Sequence, residues 1–255
     1  MSEIKKIVIN GILGHMGRQV LISALAEPAL DVVAGIDTKD ESKIWEIPVY
    51  KDFSTLENID LVIDFSTPNG MQNALEWCVE NNVAFVSGTT GISDEQKSML
   101  EEAGGKICVL WAPNMSPGIN VTVEISKIIS NYLPEYDIEI IERHHKRKKD
   151  APSGTALSIV EEIVNNKKAP ESKVLYGRDK GKHRREIAEV GVHSVRGGGV
   201  VGEHSIYLIG SDEEIVITHR AFSRQVFALG ALKATFWLLN AENGYYEMRD
   251  TLKTE

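Results

Sequence analysis

The sequence predicts a two-part α/β protein: a doubly wound parallel sheet, followed by a smaller α+β region on a mixed or antiparallel sheet. Three observations predict it. Across residues 1–114 short β-branched runs alternate with helical patterns. A glycine-rich turn, Gly11-Ile12-Leu13-Gly14-His15-Met16-Gly17, follows the first of those runs directly and leads into a helix. Beyond residue 115 strand patterns succeed one another with little room for crossover helices.

Taken in order, Ile7-Val8-Ile9 reads as the first strand, and Arg18 to Glu27 as a helix with Val20, Leu21, Ala24 and Leu25 on one stripe. Val32 to Ile36 and Leu61-Val62-Ile63 are the next strands, with a helix across Met71 to Glu80. Val83 to Val86 and Ile107 to Trp111 continue the alternation. Between them Ser93 opens a helix to Ala103, and Gln96 three residues on gives the spacing of a capping box. Near-continuous apolar strands separated by helices need a parallel sheet covered on both faces. The texture then changes. Ile119 to Tyr132 reads as a helix, Tyr136 to His144 as a strand running into a basic turn, and Ser153 to Asn165 as a helix. Ala188 to Val195, His204 to Ile209 and Glu214 to Thr218 read as strands, the last two antiparallel neighbours. A final helix, Gln225 to Leu239, is apolar on most faces and must be buried, which suggests a return to the first region. The division expected is therefore 1–114 with 223–255, and 115–222.

Composition removes several function classes. The chain has 255 residues, enough for one large or two modest domains. Lys and Arg number 28 against 37 Asp and Glu, a net charge of −9, which is a poor basis for binding nucleic acid or an anionic membrane. Two isolated cysteines, Cys78 and Cys108, form no CxxC or Cys/His cluster, so neither a disulfide framework nor a metal site is expected. The start, Met-Ser-Glu-Ile-Lys-Lys-Ile-Val-Ile, lacks the apolar core of a signal peptide. The longest apolar stretch, Val226 to Leu239, is broken by Lys233 and is short for a membrane span. The expected location is the cytoplasm.

The glycine turn has the spacing GxxGxxG rather than GxGxxG, but the physical need is similar. A strand turns sharply into a helix whose free N–H groups face an anion, and the backbone must approach a pyrophosphate closely. Gly11 and Gly14 remove side chains from that approach, and Gly17 lets the helix pack closely. Asp37 follows the second strand, twenty residues after Gly17, where a carboxylate can accept from both adenosine ribose hydroxyls. It would repel a 2′-phosphate and so favours NADH. Lys39 partly offsets this and leaves NADPH use open. Two further turns close strands, Gly88-Thr89-Thr90-Gly91 and Ala112-Pro113-Asn114-Met115. Ligands gather at the carboxyl ends of parallel strands, so Thr89, Thr90 and Asn114 are placed to line a nicotinamide pocket, although ordinary turns account for each alone.

The densest chemistry is the run from Glu142 through Arg143-His144-His145-Lys146-Arg147-Lys148-Lys149 to Asp150, followed by Ala151-Pro152-Ser153-Gly154-Thr155-Ala156. A generic basic run is a solvated loop or a partner patch. Here it feeds a helix start, with Ser153 as N-cap and the N–H groups of Gly154 and Thr155 able to hold a small carboxylate. Histidine is the usual proton donor near neutral pH, and lysine adds a point charge or a second donor. The pattern points to a pocket for a polycarboxylate that accepts a hydride. Arg196-Gly197-Gly198-Gly199 reads either as a loop over the substrate or as a hairpin connection, and His204 and His219 read as structural strand histidines. Asp64-Phe65-Ser66 either touches the cofactor or turns the chain.

These motifs resemble those of the 4-hydroxy-tetrahydrodipicolinate reductase (dihydrodipicolinate reductase) family of bacterial lysine and diaminopimelate synthesis. The resemblance spans essentially the whole chain. It rests on the glycine turn, Asp64-Phe65-Ser66, Gly88-Thr89-Thr90-Gly91, Asn114-Met115-Ser116, and above all Glu142 to Ala156. Val201-Gly202-Glu203-His204 and Thr218-His219-Arg220-Ala221 add to it. It implies a Rossmann-like cofactor domain and a smaller substrate domain whose sheet builds a homotetramer. It implies reduction of a cyclic imine dicarboxylate to tetrahydrodipicolinate by NADH or NADPH. By the same resemblance His144 is the general acid/base and Lys148 the second proton donor, with His145, Ser153, Gly154 and Thr155 contacting substrate. Gly11, Ile12, Leu13, Gly14, His15, Met16, Asp37, Gly88, Thr89, Thr90, Ala112, Pro113, Asn114 and Met115 are the implied cofactor contacts. Asp37-Thr38 stands where many relatives carry Glu-Arg, which weakens the case for strong NADPH use. The rival readings are a homoserine- or semialdehyde-type dehydrogenase and an NAD(H)-sensing protein without turnover. The basic turn before Ser153 argues against both.

Overall fold

In β1 (Lys5–Asn10) Ile7, Val8 and Ile9 are all fully buried, so both faces of this strand must be covered. The computed structural model, which describes residues 3–252 apart from 40, 167–171, 183 and 187, shows how. After β1 come α1 (His15–Ala24), β2 (Leu30–Ile36), β3 (Lys43–Ile44), β4 (Ile47–Tyr50), β5 (Leu61–Asp64) and α2 (Pro68–Asn81). β6 (Ala84–Ser87), α3 (Asp94–Ala103), β7 (Cys108–Trp111) and α4 (Pro117–Tyr132) follow. Then come β8 (Asp137–His144), α5 (Gly154–Asn166), β9 (Lys173–Tyr176), β10 (Glu189–Arg196), β11 (Gly202–Ile209) and β12 (Glu214–Ala221). The chain closes with α6 (Gln225–Leu238), β13 (Gly244–Tyr246) and a 3-10 turn, Met248–Leu252.

Two compact units result: Met1–Pro117 with Arg224–Glu255, and Gly118–Ser223. The first holds an eight-stranded sheet in the order β13-β7-β6-β5-β1-β2-β4-β3, parallel except for the β3–β4 pair. Successive residues of each strand feed opposite layers. Ile7, Ile9, Leu61, Ile63 and Leu110 pack with Val20 and Leu21 of α1 and Ala231, Leu232 and Leu238 of α6. Val8, Val62, Phe85 and Val109 pack with Met71 and Leu75 of α2 and Leu100 of α3. Each such side chain contributes about 1.5–3 kcal/mol of transfer free energy. The order reverses at β1, whose neighbours are β2 and β5, and ligands of doubly wound sheets bind in the crevice such a reversal opens.

The second unit is a five-stranded mixed sheet, β12-β11-β8-β10-β9. β8, β10 and β9 run parallel, while β11 is antiparallel to both β8 and β12. Even-numbered residues of β8, β10 and β11 face one layer. Ile138, Ile140, Val190, Val192, Ile206 and Leu208 pack there with Ile119 of α4 and Ile159 and Ile163 of α5.

The capping box is present in full: Ser93 Oγ accepts from the Gln96 amide, and the Gln96 side chain accepts from the Ser93 amide. The first helix needs correction. It begins at His15 rather than Arg18, so His15, Met16 and Gly17 are its first turn and not part of the loop, and it ends at Ala24. β3, β4, β9 and β13 are unanticipated, each being two to four residues long.

Candidate active site

The turn after β1 is shaped by its glycines. Gly11 has φ +78°, and a Cβ there would lie 2.5 Å from the Phe65 carbonyl oxygen. A Cβ at Gly17 would run into the carbonyl oxygen of Gly11 and the Cα of Ile12. This glycine therefore lets the helix pack against its own turn. Around the carboxyl ends of β1, β2 and β5 lies a cavity of about 300 Å³, lined among others by Asn10, Gly11, Gly14, Asp37, Lys39 and Ser66. Asp37 ties the two ends together, accepting from the Leu13 amide at 3.0 Å and from the Lys39 amide at 3.0 Å. A carboxylate has about four lone-pair sites, so capacity for two ribose hydroxyls remains. Two ammonium groups border Asp37. Lys39 Nζ donates to the Leu13 carbonyl at 3.3 Å, and Lys51 Nζ donates to the carbonyls of Thr38 (3.0 Å) and Lys39 (2.7 Å).

Beside this cavity Asp64 is fully buried at the end of β5. It accepts from Asn10 Nδ2, from the Ser66 amide and hydroxyl, and from the hydroxyls of Ser87 and Thr89. Burial pushes its carboxyl above the ordinary range, while those hydrogen bonds pull the other way. Thr89 is thus a buried partner of Asp64 rather than an open pocket wall, whereas Thr90 is exposed. A Cβ on Gly88 would strike the Phe65 ring. Ile12 and Leu13 are buried, as is Met115, whose carbonyl is covered by Gly230 of α6. His15 and Pro113 are exposed, Met16 and Asn114 are half-buried, and Ala112 is buried. Of the expected cofactor residues, the cavity brings together Gly11, Gly14 and Asp37 and leaves the rest outside its lining.

In the second unit the even-numbered face changes character at one end of the sheet. Past Ile138 and Ile140, β8 presents Glu142 and His144. Past Val190 and Val192, β10 presents Ser194 and Arg196. Past Leu208 and Ile206, β11 presents His204 and Gly202. Register brings them together: Glu142 lies opposite Ser194 and His204, and His144 opposite Arg196. Glu142 is wholly buried, and Arg196 grips it as a fork, Nη1 to Oε2 at 2.9 Å and Nη2 to Oε1 at 2.7 Å. His144 Nδ1 shares a short hydrogen bond with Glu142 Oε2. Burial would raise the Glu142 carboxyl, but hydrogen bonds from His144, Arg196 and Ser194 overcome it and hold it at about 2. An ionised carboxylate only accepts, so His144 Nδ1 carries its proton and Nε2 is left for chemistry.

The start of α5 adjoins this cluster. Ser153 is buried and its Oγ accepts from the Ala156 amide at 3.2 Å, the expected cap. The Ser153 hydroxyl also lies 3.1 Å from His204 Nε2. Burial, helped by the charge of His144, holds His204 down at about 3, so it is a neutral ring that shares a hydrogen bond with the Ser153 hydroxyl. Gly154 is exposed and Thr155 half-buried at the helix start. Lys148 is half-buried, with Nζ on Asp150 Oδ2 at 2.8 Å. The basic run is not one patch. Strand alternation sends Arg143 to the opposite face, where it pairs with Glu203, and leaves Lys146, Arg147 and Lys149 exposed.

The structure thus gathers Glu142, Arg196 and His204 around His144, with His204 linking it to Ser153, and Arg196, left open as a substrate loop or a hairpin connection, ends β10 on Glu142. His204 lies in β11 as expected of a strand histidine, buried and bonded to Ser153, and its ring stands 5.2 Å from that of His144. Among the described residues, Glu142, His144 and His204 offer ligand atoms within 4.8 Å of one another. The Glu142 oxygens are already held by Arg196 and His144, and a cation would have to displace a guanidinium, so this donor set suits proton handling rather than a metal.

Known proteins match both halves of the chain. The family described as dihydrodipicolinate reductase, N-terminus, matches residues 5–115, and that described as dihydrodipicolinate reductase, C-terminus, matches residues 118–252. A 4-hydroxy-tetrahydrodipicolinate reductase of Caldanaerobacter subterraneus subsp. tengcongensis is 41% identical over 250 residues, covering 97% of this chain and 98% of that protein. Among solved structures, a dipicolinate-bound dihydrodipicolinate reductase from Paenisporosarcina sp. TG-14 aligns with a TM-score of 0.78 at 25% identity, covering 96% of this chain and 97% of the other. An aspartate semialdehyde dehydrogenase II from Vibrio cholerae aligns with a TM-score of 0.57 at 10% identity, covering 93% and 99%, a likeness of fold alone. By its motifs, its two matched halves and its full-length relatives, the chain belongs to the dihydrodipicolinate reductase family.

Proposed function

We propose that the chain reduces 4-hydroxy-tetrahydrodipicolinate to tetrahydrodipicolinate with NAD(P)H, a step of lysine and diaminopimelate synthesis. The observation that carries the proposal is His144, held through Nδ1 by a buried carboxylate beside the capped start of α5. The dipicolinate bound to the Paenisporosarcina reductase is a small cyclic dicarboxylate of the kind such a site suits.

In this reading Lys148 and the first-turn amides of α5, with His145, Ser153, Gly154 and Thr155, receive the two carboxylates. Ionic contact and helix N-terminal amides both favour anions there. When bound, the reduced nicotinamide supplies the hydride. His144 delivers a proton from Nε2, and Lys148 acts as a second donor. The fit to a dinucleotide rests on the glycine-lined cavity and on Asp37 at its adenosine end. Gly11 to Met16, Gly88 to Thr90 and Ala112 to Met115 are assigned to the cofactor. NADH is favoured because Asp37 faces the ribose, and Lys39 and Lys51 supply positive charge that admits NADPH.

We assign the division 1–114 with 223–255 to the cofactor and 115–222 to substrate and assembly. A homotetramer through the second sheet is supported by its helix-free face, where Val195, Ile209 and Val216 are exposed. Light scattering should give four chains per particle, and a monomer would refute this. Among the described residues no helix is long and apolar enough to cross a membrane, in line with the cytoplasmic location we assign. The activity is tested by following the absorbance of reduced cofactor with freshly generated cyclic substrate. Substrate-dependent oxidation, faster with NADH than NADPH, is expected. Binding of NADH without oxidation would refute the assignment and favour a sensor.

A further inference from the structure

We propose that Arg196 and Glu142 form a positioning pair for His144: Arg196 fixes the Glu142 carboxylate, and Glu142 fixes the imidazole with Nε2 turned toward the space that Gly202 leaves open. The proposal rests on the reading of His144 as the proton donor. Neither residue needs to touch substrate.

Three observations carry it. The strand register places Arg196 directly opposite His144 and Ser194 opposite Glu142, so the pair is built into the sheet and not into a loop. The guanidinium uses both arms of its fork on Glu142, and Nη2 also donates to the Asp150 carbonyl at 2.6 Å. One side chain thereby ties His144's carboxylate to the turn that bears Lys148. The adjoining backbone locks the same corner, with the Gly197 amide on the His144 carbonyl at 3.0 Å and the Lys146 amide on the Gly198 carbonyl at 3.3 Å. On the other side, a Cβ at Gly202 would stand 3.1 Å from His144 Nε2, so the glycine leaves the space beside that nitrogen unfilled.

Charge gives the pair its second effect. A lone buried carboxylate would hold an imidazolium strongly and make it a reluctant acid. Arg196 sets both arms of its fork on Glu142, so the carboxylate beside His144 is charge-compensated. The titratable groups set against the ring are Glu142 on its own strand and His204 on β11, Arg196 on β10 reaches it through Glu142, and Lys148, paired with Asp150 on the basic turn, acts on His204. His219 of β12 lies opposite His204 and acts on it. From α5 the cap Ser153 contributes only a hydroxyl.

The test uses the full chain labelled with ¹³C-histidine, with His144→Gln to assign the His144 resonance, and the pH profile of kcat alongside. Glu142→Gln should move the His144 titration and the high-pH limb of kcat down by about one to two pH units. Arg196→Met should move both up by about one unit. Arg196→Lys, which keeps the charge and loses the fork, should leave the titration close to wild type while lowering kcat. The Kd for NADH should be unchanged throughout. Opposite shifts in the two variants separate this role from a merely structural one. If Glu142→Gln does not fold, Arg196→Met alone decides. A His144 titration unmoved by Arg196→Met overturns the proposal, and because the resonance is read without turnover, that result is distinct from failure of the reductase assay.

Discussion

Replacing Asp64 by Ala should unfold the cofactor-binding region earlier and weaken NADH binding, and the size of the effect can be worked from the hydrogen bonds. Asp64 Oδ1 accepts from Asn10 Nδ2 at 2.9 Å and from the Ser66 amide at 3.2 Å, and Oδ2 accepts from Ser87 Oγ and Thr89 Oγ1 at 2.7 Å each. Not all of these donors are stranded when the carboxylate goes. Asn10 Nδ2 retains Ser66 Oγ and the Gly70 carbonyl, and the Ser66 amide retains Thr89 Oγ1. The buried hydroxyls of Ser87 and Thr89 lose the acceptor shown for them, at about 1–3 kcal/mol each. Relief of a carboxylate that burial disfavours offsets part of this, leaving a net loss of about 2–4 kcal/mol. For a chain of this size that is a fall in Tm of roughly 5–15 °C. Asp64→Asn, which keeps an acceptor for Asn10 and the Ser66 amide, should lose less than half as much. Thermal unfolding followed by circular dichroism reads the stability, and fluorescence titration reads NADH, whose Kd should rise because Asn10 and Ser66 line the cavity. An Asp64→Ala protein melting within about 2 °C of wild type with unchanged NADH affinity would refute the view that this carboxylate organises the strand ends.

Gly202→Ala should lower kcat by about tenfold or more while leaving the Kd for NADH unchanged, since the new Cβ stands 3.1 Å from His144 Nε2. Lys39→Ala combined with Lys51→Ala should cut kcat/KM for NADPH by about tenfold while that for NADH changes little, as read in parallel assays with the two cofactors. The Glu142 carboxyl is held at about 2 against an ordinary 4.5. A folded-state value below the unfolded one stabilises at higher pH, and that contribution is lost as pH falls from 4.5 towards 2. Denaturant unfolding across that window should show wild type losing stability more steeply than Glu142→Gln.

What was legible in the sequence were features with a local rule behind them. The glycine turn could be read because a strand, three glycines and a helix must occur in that order, and Asp37 because it closes the next strand. The Ser93–Gln96 box and the Ser153 cap each needed only a side chain and an amide a few residues on. The missed strands are too short to show a period of two over enough residues. The site cluster was hidden for a different reason. Glu142, Arg196 and His204 meet only through the registers of β8 with β10 and β11, and register between distant segments is not written in either one. One signal was available. Glu142 and His144 are two apart on a predicted strand, which puts them on the same face and sends Arg143 to the other. Reading 143–149 as a single basic run obscured that alternation.

The most direct measurement is kcat of His144→Gln at saturating cyclic substrate, beside its Kd for NADH. If Nε2 of His144 delivers the proton, kcat falls about 10²–10⁴-fold and NADH affinity stays within about twofold of wild type. A kcat within about threefold of wild type would contradict the account and move the proton to another group.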